Sequence, residues 1–449
     1  MKVVTLKRIG IQLLGLGILF AGIRPAYGIP AFARKFGLPC SACHEAWPML
    51  NNFGQTFKDN GYQLGNERDA PIYQDPGYWP IMFRTTPVWH RENNNRQAID
   101  AVAGDPGSGL VEASVTTAGF DLEGVDAITA GTLYKNISFF VQPFFGNSNV
   151  SITQAWARFD NLLGSHWLNV KMGKFELDEP ISQERMLTLN NTGGLYYNYF
   201  FTPPGDNNFF QGIGFPQLGV ELQGHSDNDY TRYSLAVVTN SNGQTGLPSS
   251  NVYNLYANFD KAFEARWFGR QEAGAYAYFG ESPTYFLTEN GNPIPGTGQG
   301  NRSFYRVGAY GHWYVNKFDF YTFYMHGQDN VFLGNAVPSN HPESLPPGAV
   351  APTWNGGFVE GHYNPTPRWI VLGRYELTRM SREANPGIRS NAGNLDTWTV
   401  GYRWYPIMSP RAGLAWTQEF SRIVNVGAAP LSGQDDIRNT LLMGFDFDF

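Results

Sequence analysis

Cysteine is almost absent from this chain: two residues in 449. A structural zinc site of the usual four-ligand kind would need a second pair of thiols or spaced histidines, and no further cysteine exists to supply one. Charge is also scarce, at 16 % of residues, and its formal balance is −6. Nothing in that balance offers the basic face that binds nucleic acid. Beyond the N-terminal stretch no segment runs to eighteen consecutive apolar residues, which excludes a bundle of membrane-spanning helices.

Both cysteines fall in one short run, Cys40-Ser41-Ala42-Cys43-His44. A CxxCH run is the attachment signature of a c-type haem: two thiols add to the vinyl groups and the adjacent imidazole ligates the iron. A thioredoxin-like CxxC would follow a βαβ pattern, which is absent, and needs no histidine directly behind it. A Cys40–Cys43 disulfide would close a small strained ring and leave His44 unexplained. The expected cofactor is one covalent haem c on Cys40 and Cys43, with His44 as proximal ligand.

The N-terminus agrees on the compartment. Lys2, Lys7 and Arg8 precede an uncharged apolar stretch from Ile9 to Ile23, and Ala26-Tyr27-Gly28 supplies small residues for a signal peptidase. Residues 1–28 are expected to be a signal peptide, with maturation at Ile29. Its loss removes Lys2, Lys7, Arg8 and Arg24 and no acid, taking the formal charge from −6 to −10.

What is abundant is aromatic and small: 24 Tyr, 33 Phe, 12 Trp and 51 Gly. These residues alternate. Leu441, Met443, Phe445, Phe447 and Phe449 oppose Leu442, Gly444, Asp446 and Asp448. Trp398, Val400, Tyr402 and Trp404 oppose Thr399, Gly401 and Arg403. Ala412, Leu414, Trp416 and Phe420 oppose Arg411, Gly413, Thr417 and Glu419. Tyr305, Val307, Ala309, Gly311 and Trp313 oppose Arg306, Gly308, Tyr310 and His312. A period of two means strands with one apolar and one polar face.

Soluble sandwiches use strands of about five or six residues, whereas a transmembrane barrel needs about nine to eleven, an aromatic-rich outer face and a polar lumen. The segments have the second character. The expected fold is all-β: a transmembrane antiparallel barrel of about sixteen strands over residues 79–449, behind a small helical haem segment at 29–78. Seventeen stretches qualify as strand cores, 111–121, 126–134 and 136–144 among them, so one is either split or not a strand, and the short pieces 126–134 and 136–144 are the first candidates. Long outer loops are expected at 190–216, 286–302 and 333–355, one of which could fold into the lumen.

In the haem segment a helix is expected from Ala42 to Phe57, interrupted near its start by Pro48, with Gly61 as its stop. So short a segment cannot hide a haem alone and must borrow walls from the barrel. Met49 lies too close to His44 along the chain to reach the opposite haem face unless the chain breaks at Pro48. In Pro80 to Arg91 the alternation puts Met82, Arg84, Thr86 and His90 on the lumen side, so the candidates for distal iron ligand are Met82, then His90, then another residue or an open position, and Arg84 is either a partner for a haem propionate or an ordinary lumen arginine.

The terminal Phe445, Phe447 and Phe449 resemble the C-terminal insertion signal of bacterial outer-membrane proteins, and Ala155–Phe159 followed by Leu168–Glu176 resembles a porin strand pair. The stretch with Phe32-Ala33-Arg34-Lys35-Phe36-Gly37, the CxxCH run, Pro48, Leu50-Asn51, Phe53-Gly54, Phe57 and Gly61-Tyr62 resembles the short cytochrome segment of fused cytochrome–porins. The resemblance is specific over roughly 35 residues and architectural beyond, where that family has a barrel of about sixteen strands. It implies a Gram-negative outer-membrane location amid lipid and electron transfer from an extracellular donor, Fe(II) in the best-known members, to a periplasmic cytochrome. It thereby implies an Fe(II):cytochrome c oxidoreductase activity. A solute channel with a haem plug or redox sensor is the other reading of the same parts.

Overall fold

The computed structural model describes residues 30–64, 81–146, 149–178, 187, 213–214, 216–239, 253–283, 301–328, 350–351, 353–382, 394–409, 412–426 and 436–449. The expected signal peptide lies outside the described residues, as do most of the three expected long loops. The described residues form one closed antiparallel barrel with a small helical segment at its N-terminal side.

The wall has eighteen strand segments, and two pairs of them are single wall strands. Ile81–Thr85 and Val88–Val102 both lie on the last strand, Asp436–Asp448, in one continuous register: Asp448 faces Arg84, Phe447 faces Thr85 and Gly444 faces Val88. Asp105–Asp121 and Gly124–Tyr134 follow each other along the same neighbour, with Asp121 opposite Val88 and Val125 opposite Thr85. Four residues on one side thus span three on the other, a one-residue bulge that reverses the alternation. This is the strand that the sequence divides into 111–121 and 126–134. With both pairs joined, the barrel has sixteen strands.

Alternation decides what each face meets. On Asn394–Met408, Thr397, Thr399, Arg403 and Tyr405 are buried toward the lumen, while Trp398 and Val400 are 56 % and 55 % exposed on the outside. Leu235, Val237, Phe259 and Val359 are likewise outward and exposed. Asp446 and Asp448 point inward from the last strand between the outward phenylalanines, as the pattern requires. An apolar exterior over a polar interior is a surface for lipid. The closed hydrogen-bond ladder leaves no strand edge inside that lipid.

The two ends of the barrel differ. At one end the strands are joined through 135–136, 160–168, 226–230, 266–268, 316–317, 367–368 and 409–412; at the other, strand ends are two and three residues apart in sequence at 103–104 and 147–149 and nine to forty-one apart elsewhere. Short turns mark the periplasmic end of such barrels and long loops the external one.

The N-terminal segment departs from the single helix expected over 42–57. It contains α1 (Pro30–Phe36), one helical turn α2 (Cys40–Cys43), a small hairpin of His44–Ala46 with Met49–Leu50, and α3 (Asn52–Asp59). Pro48 has no N–H to continue a helix and steers its predecessor toward extended backbone, so the chain turns there. A new helix begins where Asn51 accepts from Gly54 N at 2.9 Å as its N-cap. Gly61 ends it as expected. Its φ of +76° lets Gly61 N reach Lys58 O and Tyr62 N reach Phe57 O, a Schellman stop.

Placing a charge on the outer face of the wall should disturb assembly while the lumen tolerates polarity. Val400→Arg is expected to cost about 2–4 kcal/mol at mid-membrane depth. It should reduce the heat-modifiable folded band on a cold gel, whereas Thr399→Ser on the facing side of the same strand should leave that band intact.

Candidate functional site

The N-terminal segment sits in the barrel's short-turn mouth, and polar side chains of the wall hold it there. Arg158 donates through Nη2 to the carbonyls of Lys58 and Asp59 at 2.8 and 2.9 Å, and through Nε to Asp160. Arg232 meets Asp59 at 3.2 Å and Asp178 at 2.9 Å. Thr132 donates to Gly61 O, and Gln63 donates to Thr132 and to Lys135 O. Tyr405 donates to Trp47 O at 2.6 Å. Burial alone would raise the Asp59 carboxyl. The charges of Arg232, His225, Lys58 and Arg158 outweigh it and hold Asp59 well below the usual carboxylate range.

Between the segment and the wall lies a cavity of about 1450 Å³, counting its open side. Cys40, Cys43 and His44 line it together with Phe32, Phe36, Leu50 and Phe57 from the segment, and Met82, Ile128, Phe140 and Trp156 from the wall. Its aromatic side is stacked in sequence: Phe32 on Tyr62 at 5.3 Å, Tyr62 on Trp156 at 6.5 Å, and Trp156 on Phe140 at 5.8 Å. The borrowed walls expected of so short a segment are there.

The donor atoms at this cavity fit a c-type haem. Neither cysteine is in a disulfide, and burial, with Cys40 beside it, pushes Cys43 up to about 11, so Cys43 rests as a thiol. His44 is 5 % exposed, and burial lowers it to about 4, leaving a neutral ring. Its Nδ1 is 3.2 Å from Pro48 O and 3.3 Å from Met49 O. Carbonyls only accept, so the proton belongs on Nδ1 and the lone pair on Nε2, which is buried with no partner. A fixed Nδ1–H and an open Nε2 are what an axial imidazole requires.

Two residues hold the motif in place. Asn51 donates through Nδ2 to Ser41 O and Ala42 O at 3.3 and 3.0 Å while its own backbone N–H reaches Cys43 O. Gly54 passes so close that a Cβ there would lie 2.1 Å from the Cys43 carbonyl oxygen. Asn51 and Gly54 belong to the stretch that carries the family resemblance. Their roles as clasp and close approach depend on contacts across the hairpin, which a linear reading does not reveal.

Of the ligands considered for the second haem face, Met82 is brought to the cavity, 7 % exposed. His90 stands eight residues farther along the same wall strand, about 26 Å at 3.3 Å per residue, and is not among the lining residues. Met49 is turned away into a separate cluster with Ala46, Leu187, Ile370, Leu372, Tyr405 and Ala415. Arg84 lines the cavity but is held by two hydrogen bonds to Asp446, both 2.9 Å, with its guanidinium over the Trp47 ring. Leu187 and Ile213, described residues of the connection 176–216, are buried in lumen clusters.

No protein-family model matches the chain, and no curated protein matches it. Solved structures do. OprB of Pseudomonas putida is 9 % identical with a TM-score of 0.51, covering 82 % of this chain and 94 % of that one. An anion-selective porin from Comamonas acidovorans (11 %, TM-score 0.49) covers 82 % and 98 %, and the outer-membrane channel DcaP of Acinetobacter baumannii (11 %, TM-score 0.47) covers 84 % and 99 %. At such identities the likeness is one of fold. The chain has the fold of a porin-type barrel, and its apolar exterior, closed ladder and unequal ends are those of an outer-membrane barrel.

Breaking the clasp should free the segment from the wall without unfolding the barrel. Asn51→Ala and Gly54→Ala are each expected to cost the segment about 1–3 kcal/mol, read as faster proteolysis of residues 30–64 with unchanged heat-modifiability. Because Asp59 is depressed, its contribution to docking is complete above the unfolded carboxylate value, about pH 4, and is lost only as pH falls far below it. Across pH 8 to 5 Asp59 stays ionised, so the proteolysis rate should be higher in Asp59→Asn than in the native chain at every pH in that range.

Proposed function

We propose that the protein is an outer-membrane barrel that carries one covalent haem c in its short-turn mouth and serves electron transfer across that membrane. Its extracellular donor would be Fe(II), the donor the cytochrome–porin resemblance implies, and its acceptor a periplasmic cytochrome. The observation that carries this reading is the unpartnered, buried Nε2 of His44 beside a cavity that both thiols of the CxxCH run also line. A haem bound there supplies a one-electron carrier.

The rest is the work of the chain's own residues. Cys40 and Cys43 attach the group. The Pro48 and Met49 carbonyls keep the proton on Nδ1 of His44, so that Nε2 offers its lone pair. Phe32, Phe57, Tyr62 and Trp156 give the cavity an apolar, aromatic side. Met82 is the wall's thioether in the same space, and a thioether ligand raises the potential of a haem iron. The segment's position matters as well. The short-turn mouth faces the periplasm, so an acceptor there needs no passage through the lipid.

A second reading has its own support. The likeness to porins and a lumen lined by charged side chains favour a solute channel in which the segment is a plug or a redox sensor. The comparisons with solved structures support the barrel, and a channel through it, and add nothing to electron transfer. That part of the reading rests on the pocket.

Chain expressed with c-type haem maturation should keep its haem through denaturing electrophoresis, and Cys40→Ser with Cys43→Ser should lose it. Met82→Ala should alter the visible spectrum and lower the potential; an unchanged spectrum and potential would remove Met82 as ligand. Fe(II) added to the oxidised, purified protein should reduce it. If Fe(II) leaves it oxidised while the barrel conducts ions freely in a planar bilayer, the channel reading stands and electron transfer from iron fails.

A further inference from the structure

Beyond the haem pocket, the segment meets the wall at a second polar centre that the proposed function does not use. Glu45, the residue after His44, lies against the strands Asn301–Val315 and Phe318–Gln328. One ligand atom from each of Glu45, His312 and Asp319 lies within 4.8 Å of the other two. His312 and Asp319 are buried, at 8 % and 2 % exposure. Three atoms so spaced are at most about 2.8 Å from a common point, close enough for small side-chain rotations to reach the bond lengths of about 2.0–2.2 Å that first-row cations make to nitrogen and oxygen.

The surrounding hydrogen bonds orient these donors inward. Tyr314 OH is bonded to Glu45 and lies 3.0 Å from His312 Nδ1. An ionised carboxylate can only accept, so the single phenolic proton goes to Glu45 and the oxygen accepts from Nδ1–H. His312 Nε2 is then left with its lone pair facing Asp319 Oδ1 at 3.3 Å. That oxygen already accepts from His362 Nδ1 at 2.6 Å, and His362 Nε2 reaches Glu360 at 2.7 Å. Asn364 donates to the other oxygen of Asp319. Two lone pairs facing each other across 3.3 Å call for a positive charge between them, either a proton or a metal ion. The carboxylates of Glu45, Asp319, Glu360 and Glu376 face two cations in these bonds, the Arg374 guanidinium and the His362 imidazolium, which donates from both ring nitrogens to carboxylates. A ligand imidazole fixed through its far nitrogen, and a ligand carboxylate bonded from behind, are the usual outer shell of a metal site.

We propose that Glu45, His312 and Asp319 bind one divalent first-row metal cation that clamps the haem segment to the barrel wall. One carboxylate comes from the segment and the other two donors from the wall, so the ion bridges the two parts. An imidazole with two carboxylates suits zinc and the neighbouring transition metals better than magnesium. The inference rests on the second polar centre alone and stands or falls apart from electron transfer.

The test uses the full-length protein in detergent with excess Mg(II), so that lipid and surface carboxylates are already occupied, and Zn(II) as the probe in isothermal titration. The native chain should bind one Zn(II) more than Glu45→Gln, His312→Gln or Asp319→Asn, or bind it about tenfold or more tightly. Saturating Zn(II) should also slow proteolysis of residues 30–64 in the native chain and not in Glu45→Gln, which leaves both wall donors in place. Equal Zn(II) binding in native and variant chains would overturn the proposal. So would Zn(II) that binds without protecting the segment, a result obtainable on native protein even where a variant fails to fold.

Discussion

The structure depends on closure. In lipid every backbone N–H and C=O must find a partner within the protein, so the last strand has to meet the first, and the seam where it does so is heavily bonded. Phe449 N donates to Phe83 O and Phe83 N to Phe449 O at 3.0 and 2.8 Å, with the two rings stacked outside at 5.5 Å. Inside, Asp446 holds Arg84 from the first strand and Arg403 from a third. Once that seam sets the register, every side chain is assigned to lipid or lumen by parity alone.

A lumen filled this way carries charge, and charge out of water needs partners. At the short-turn mouth the N-terminal segment provides them: a carboxylate for Arg232, two carbonyls for Arg158 and one for Tyr405. The dependence is mutual. A segment of this length has too little apolar surface to make a core of its own, and its Phe57 and Tyr62 are buried only because Trp156 and its neighbours on the wall complete the cluster. The cavity at the CxxCH run is therefore a joint product of plug and barrel, and neither part encloses it alone.

How much of this a linear reading delivers follows from the range of each interaction. Alternation is local, so the inward Asp446 and Asp448 and the outward Trp398 and Val400 are plain from the sequence. The bulge between Asp121 and Gly124 is invisible there, because it is defined against a neighbouring strand, and one wall strand reads as two. Met82 is correctly assigned to the lumen by parity, but so is His90, and only depth along the strand separates them. The helix expected across 42–57 fails because Pro48 turns the chain into a hairpin that Asn51 then clasps. Arg158, Arg232 and Trp156 stand far from the motif in sequence, and nothing local marks them as its neighbours.

The orphaned nitrogen of His44 bears most directly on what the plug does. A buried polar atom left without a partner costs about 1–3 kcal/mol. A plug whose task is only to block a pore gains nothing from that cost, since an apolar residue would fill the space as well. Here the cost is accompanied by a second arrangement that maintains it: two carbonyls fix the proton on the far side of the ring, and the near side opens on a cavity with both thiols in its lining. Such a site recovers its cost when something binds the lone pair. This favours a ligand-bearing segment over a passive stopper, whatever the barrel above it conducts.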